Sequence, residues 1–94
     1  MRTIERSSAF KRDYKRVKAT PKHSNVDALL MAILALLVAD HPLPAHNRDH
    51  DLSGNWAGYR ECHIKPDLLL IYKIENNNLV LVLINIGSHS DLFE

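Results

Sequence analysis

The chain has 94 residues, 46% of them hydrophobic and 24% charged, with a formal net charge of +1 and one cysteine, Cys62. That length supports a single domain around one modest core, and the composition is too apolar for a disordered tail. A lone cysteine excludes an intrachain disulfide framework and a thiolate zinc cage, and it suits a reducing compartment.

Charge is unevenly placed along the chain. Residues 1–25 carry Arg2, Arg6, Lys11, Arg12, Lys15, Arg16, Lys18 and Lys22 against Glu5 and Asp13, a net of +6, whereas the remainder sums to −5. Such a basic pole attracts a phosphate backbone or an acidic protein, or is simply a solvated helix face. The first ten residues hold no apolar leader core, and the longest apolar run, residues 28–39, has 12 residues. A membrane span needs about 20. A cytoplasmic protein without membrane contact is expected.

In chain order, RTIE reads as a short strand. Ser7 or Ser8 then caps a helix over residues 9–18, with Phe10, Tyr14 and Val17 on one stripe and an almost wholly basic opposite face. Pro21 interrupts it, and Ser24-x-x-Asp27 reads as a capping box that opens a second helix to about Ala39. Leu29, Leu30, Ile33, Leu34 and Leu37 form its main apolar stripe, and Pro42 ends it. Residues 40–57 mix Pro42, Pro44 and Gly54 with short polar residues and read as a long irregular connection, a kind that is often functional. Three strands are predicted at 58–64, 68–74 and 79–86, joined by turns short enough to make them sequential antiparallel neighbours. The expected architecture is α+β: one domain over residues 1–94, ordered β-α-α-β-β-β, its antiparallel sheet packed against two N-terminal helices.

Six histidines are many for this length. His50, His63 and His89 fall near predicted sheet rims, where neighbouring strands can gather them; scattered surface or core histidines are the alternative. His41, His46 and His50 are five and four residues apart in a proline-rich segment with no helical face, so no metal site is expected from them. Strand alternation puts Arg60 on the face opposite His63, as a surface ion pair or as a guanidinium fork for a phosphate. Lys65 and Asp67 occupy the following turn. Trp56 and Tyr59 can seal the loop on the core or stack on a base. Phe93 can cap a helix–sheet seam or stack likewise.

Together, the lysine-rich first helix, DHDLSGNWAGYRECHIKPDLLLIYKI at 49–74 and GSHSDLF at 87–93 resemble the YafQ branch of the RelE/ParE superfamily of bacterial type II toxins, over nearly the whole chain. The resemblance implies a RelE-like fold of microbial-ribonuclease type and messenger RNA cleavage in the ribosomal decoding site. It implies His50, His63, Asp67 and His89 as the catalytic set, Arg60 near the RNA phosphate and Phe93 as the terminal aromatic; Lys65 beside the phosphate and Trp56 as a stacking or positioning ring are candidates from their place in the sequence. Lys11, Arg12, Lys15, Arg16 and Lys18 would dock on ribosomal RNA. The sequence departs from the branch at Leu68, where tryptophan is common. Implied partners are a cognate antitoxin, DinJ-like or of another type II kind, the ribosome with its message, and operator DNA only through the antitoxin complex; no cofactor is implied. Two histidines in different protonation states can move the protons for 2′-hydroxyl attack near neutral pH without a metal. A non-catalytic ParE-like or antitoxin-binding module is the alternative, and in it the histidines are dispensable.

Overall fold

The computed structural model describes residues 1–93. After strand β1 (Thr3–Arg6), helix α1 (Ser8–Lys18) begins where Ser7 Oγ accepts a 2.9 Å bond from the Phe10 amide. Phe10 and Val17 are buried, Tyr14 packs beside them, and Lys11, Arg12 and Lys15 stay in solvent. Pro21–His23 then form a 3-10 turn that uses the Ser24 amide, which donates to Pro21 O at 3.2 Å. Ser24 is therefore part of that turn, and α2 (Val26–Val38) starts after Asn25 without a side-chain cap. The expected Ser24–Asp27 capping box does not form.

Pro42 does not end α2 by itself. Asp40 turns left-handed at φ 58, its amide donates to Leu37 O at 3.2 Å, and the His41 amide donates to Leu36 O at 2.9 Å. This is the paired bonding of a Schellman stop, with aspartate where glycine is usual. Arg2 completes the end: its amide reaches Val38 O at 3.0 Å and its Nη1 reaches Leu37 O at 2.6 Å. A cation placed on the last carbonyls also suits the helix dipole.

The remaining elements are β2 (His50–Asp51), β3 (Arg60–Lys65), β4 (Leu68–Glu75), β5 (Val80–Gly87) and α3 (His89–Phe93). The strands form one sheet in the order β1-β5-β4-β3-β2. Strands β2 to β5 pair antiparallel, but β1 runs parallel to β5 from Thr3↔Val80 to Arg6↔Leu83. The expected antiparallel sheet is thus mixed, and it gains β2 from the segment read as irregular. A parallel pair needs a long crossover, and everything between β1 and β5 serves as one.

Helices α1 and α2 cover one face of the sheet, where Phe10, Val17, Val26, Leu30, Ile33 and Leu37 meet Cys62, Ile64, Leu68, Leu70, Tyr72, Leu81, Leu83 and Ile86. Leu69 and Ile71 alternate to the other side of β4 and are buried there too, outside that core. Both faces of β4 are therefore apolar, as its continuous run of large residues requires. No helix among the described residues is long and apolar enough to cross a membrane.

Candidate active site

The site begins with the pairing of β2 and β3. His50 lies directly across from Glu61, and Asp51 across from Arg60, so each cross-strand pair occupies one face. On the face away from the helices, Glu61 is buried to 6% exposure, with Oε1 3.5 Å from His50 Nε2 and 3.7 Å from His63 Nε2. His50 Nδ1 lies 2.6 Å from the Arg48 carbonyl, which can only accept, so Nδ1 carries the proton and Nε2 faces the carboxylate. Buried Asn47 donates from Nδ2 to His63 O at 2.7 Å, which ties the connection preceding β2 to β3. Two of the three expected histidines are thus gathered, and the residue that gathers them is one the sequence reading passed over.

The third histidine is set by the C-terminal turn. The Asp91 amide donates to Ser88 Oγ at 3.1 Å and the Ser88 amide to Asp91 Oδ2 at 3.1 Å, a reciprocal box that opens α3. Bonding from Ser88, backbone first and side chain second, holds the Asp91 carboxyl below its ordinary range, with a smaller contribution from Arg16. One helical turn puts His89 and Phe93 on the same side, with ring centroids 5.0 Å apart. Phe93 meets Trp56 edge-on at 5.8 Å, and Trp56 meets Tyr59 at 5.4 Å. The segment between β2 and β3 therefore touches α3. Gly58 makes this course possible at φ +94, where any other residue would be strained.

The ladder relates the two groups. His63 pairs with Leu69, and Leu69 with Gly87, two residues before His89. The His63 and Gly87 backbones are thus two strand spacings apart, about 10 Å.

The other predicted residues lie elsewhere. Arg60 projects on the face opposite Glu61, where Nη1 meets Asp51 Oδ1 at 2.6 Å, Nη2 meets Asp49 Oδ2 at 2.9 Å, and Nε donates to Tyr72 OH at 3.2 Å. It thus lies on the face opposite His63, as strand alternation predicts, and is engaged by two carboxylates within the chain. Lys65 turns to the 3-10 segment, with Nζ 2.7 Å from Lys22 O and 3.2 Å from His23 Nδ1. Asp67 is exposed and pairs with Lys22 Nζ at 3.2 Å, which lowers its pKa. Of the basic residues on α1, Arg16 faces Asp13 and Asp91, and Lys18 faces Asp27. Lys11, Arg12 and Lys15 have no ion-pair partner among the described residues. Burial and the nearby Asp49 and Glu61 push the Cys62 thiol up to about 12, so it remains an inert core group.

A mixed five-stranded sheet with two helices on one face, and two histidines gathered on the other by a short edge strand, defines a small α+β domain. The profile of the family described as "Bacterial toxin of type II toxin-antitoxin system, YafQ" matches residues 2–94. The chain belongs to this YafQ family. It is 37% identical over 92 residues to the mRNA interferase toxin YafQ of Escherichia coli K12, covering 98% of this chain and 96% of that one. A metal-bound toxin from Helicobacter pylori superposes with a TM-score of 0.87 at 41% identity, over 99% of this chain and all of that one. YafQ in the E. coli DinJ–YafQ complex gives a TM-score of 0.83 at 36% identity, with complete coverage of both chains. In this protein no group of three or more His, Cys, Asp or Glu among the described residues is arranged to hold a metal ion.

Proposed function

We propose that this protein is a ribosome-dependent endoribonuclease that cuts messenger RNA; its E. coli relative is named an mRNA interferase toxin. One observation carries the reading: His50 and His63 share the buried carboxylate of Glu61, on the sheet whose last strand leads into His89 and Phe93. In the reaction, the RNA 2′-hydroxyl loses its proton to His50 Nε2 as O2′ bonds to the adjacent phosphorus. The P–O5′ bond breaks and O5′ takes a proton from His89. The product is a 2′,3′-cyclic phosphate or its hydrolysed 3′-phosphate. Glu61 stabilises the imidazolium formed on His50, and the His63 ring beside it faces the phosphate, while Arg60 and Lys65 are bonded to other groups of the chain. Asp67, paired with Lys22 in the free protein, would orient a histidine or exchange a proton on leaving that pair. Phe93 and Trp56 offer ring faces for a splayed base.

A separate antitoxin chain would hold the toxin in check, as DinJ is found with YafQ. Regulatory DNA contacts would come through that complex.

Primer extension on a translated message tests the activity. His50→Ala, His63→Ala and His89→Ala, each shown to be folded by circular dichroism, should reduce cleavage by about 10²- to 10⁴-fold per proton-transfer group lost. Wild-type cleavage by all three variants would sink the catalytic reading and leave a toxin that acts by protein contacts alone.

A further inference from the structure

We infer that Arg60, Asp49, Asp51 and Tyr72 form a clamp that sets the position of His50, which makes Arg60 a positioning residue and not a ligand of the RNA phosphate. The inference rests on His50 being the proton acceptor. Strand β2 consists of His50 and Asp51 only, at the end of the sheet, and two residues of edge pairing are too few to fix a strand. A slip of one residue would carry His50 to the wrong face.

What fixes it is on the opposite face. Arg60 binds Asp49 through Nη2 at 2.9 Å and Asp51 through Nη1 at 2.6 Å, the two residues that bracket His50. Tyr72, 1% exposed in the core, receives Arg60 Nε and donates its hydroxyl to the second Asp49 oxygen, so the clamp is anchored in β4. With both flanking carboxylates drawn to one side, alternation leaves the His50 ring only the other, against Glu61. The rigid fork of a guanidinium reaches all three partners at once, whereas an ammonium is a single point. Burial works against the charged form of Arg60, yet bonds from Tyr72 and Asp49 outweigh it and raise its pKa above the ordinary value. An incoming phosphate would have to displace two carboxylates and approach a face away from Glu61.

The test combines a double-mutant cycle with a spectroscopic probe, using toxin released from its antitoxin complex. Single-turnover cleavage on programmed ribosomes is measured for wild type, Arg60→Gln, His50→Ala and the pair. The clamp predicts that Arg60→Gln slows cleavage about 10-fold or more in wild type and less than about 2-fold in the His50→Ala background, with the half-saturating concentration unchanged. Asp51→Asn, at a side chain that is 80% exposed and so safe for folding, should slow cleavage in the same His50-dependent way. In nitrogen-resolved spectra of the histidine rings, Arg60→Gln should lose the single Nδ1–H tautomer of His50 while His63 is unmoved. An equal loss in both backgrounds, or a loss confined to the half-saturating concentration, would make Arg60 a direct phosphate ligand and overturn the inference. So would an unchanged His50 tautomer in both Arg60→Gln and Asp51→Asn. If His50→Ala cleaves at the wild-type rate, the reading of His50 as base fails, and the ring spectra alone decide whether the clamp exists.

Discussion

Lys65 Nζ donates to His23 Nδ1 at 3.2 Å, a bond that forms only while Nδ1 of buried His23 carries no proton. Burial first, then the Lys65 charge and more weakly Lys22, lower its pKa below the reference value of 6.5, against an opposing pull from Asp67. Between the lowered folded value and 6.5 the unfolded chain binds more protons than the native one, so stability rises with pH across that window. The contribution is complete above 6.5 and is lost as pH falls through the folded pKa. Urea unfolding at pH 7.5 and pH 5.5 should show this loss in wild type and a smaller difference in His23→Gln; equal pH sensitivity of the two would exclude His23 as its source. Neither His23 nor Glu61 announced itself in the sequence. Glu61 reads as a surface strand residue, and its burial depends on His50 arriving opposite, which no local pattern encodes. By contrast, His63 and His89 were legible because each falls at or just beyond the end of a strand that periodicity locates, whereas His50 lies in the segment read as an irregular connection.

At the scale of elements, one tetrad pattern occurs twice with different outcomes. Ser24-x-x-Asp27 and Ser88-x-x-Asp91 both spell a capping box, but only the second forms. Pro21 starts a turn that takes up the Ser24 amide, so the first Ser is committed before the helix begins. Ser88→Ala should therefore cost about 1 kcal/mol, the ordinary worth of a cap, and should lower cleavage by displacing His89, while Ser24→Ala should cost less than about 0.5 kcal/mol. Thermal melts of the two variants check the contrast, and equal losses would contradict it. Helices α1 and α2 and strands β3 to β5 were readable because several residues repeat at one period. Strand β2 was not, since two residues carry no period. Three successive asparagines, Asn76, Asn77 and Asn78, were readable as a turn, and all three take positive φ, at 54, 57 and 74.

For the whole molecule, the charge asymmetry resolves into a basic helix face and a mainly acidic remainder. Arg16 and Lys18 are partly neutralised by Asp13, Asp91 and Asp27, so docking on ribosomal RNA should depend chiefly on Lys11, Arg12 and Lys15. Replacing these three by alanine should weaken ribosome binding and reduce its salt dependence by up to about two or three phosphate contacts, while single-turnover cleavage at saturation stays near wild type. Sedimentation with ribosomes at two salt concentrations measures this, and unchanged binding would remove α1 from the interface. The mixed character of the sheet was hidden for a reason of the same scale. Turn lengths order neighbouring strands, but nothing in RTIE states that its partner lies more than seventy residues away.

Strand β5 is the last to be synthesised and sits between β1 and β4. A nascent chain therefore leaves β1 unpaired until β5 has been made, more than seventy residues later. A chain cut short before Val80 would lack β5 together with His89, and β1 would then have no neighbour in the sheet.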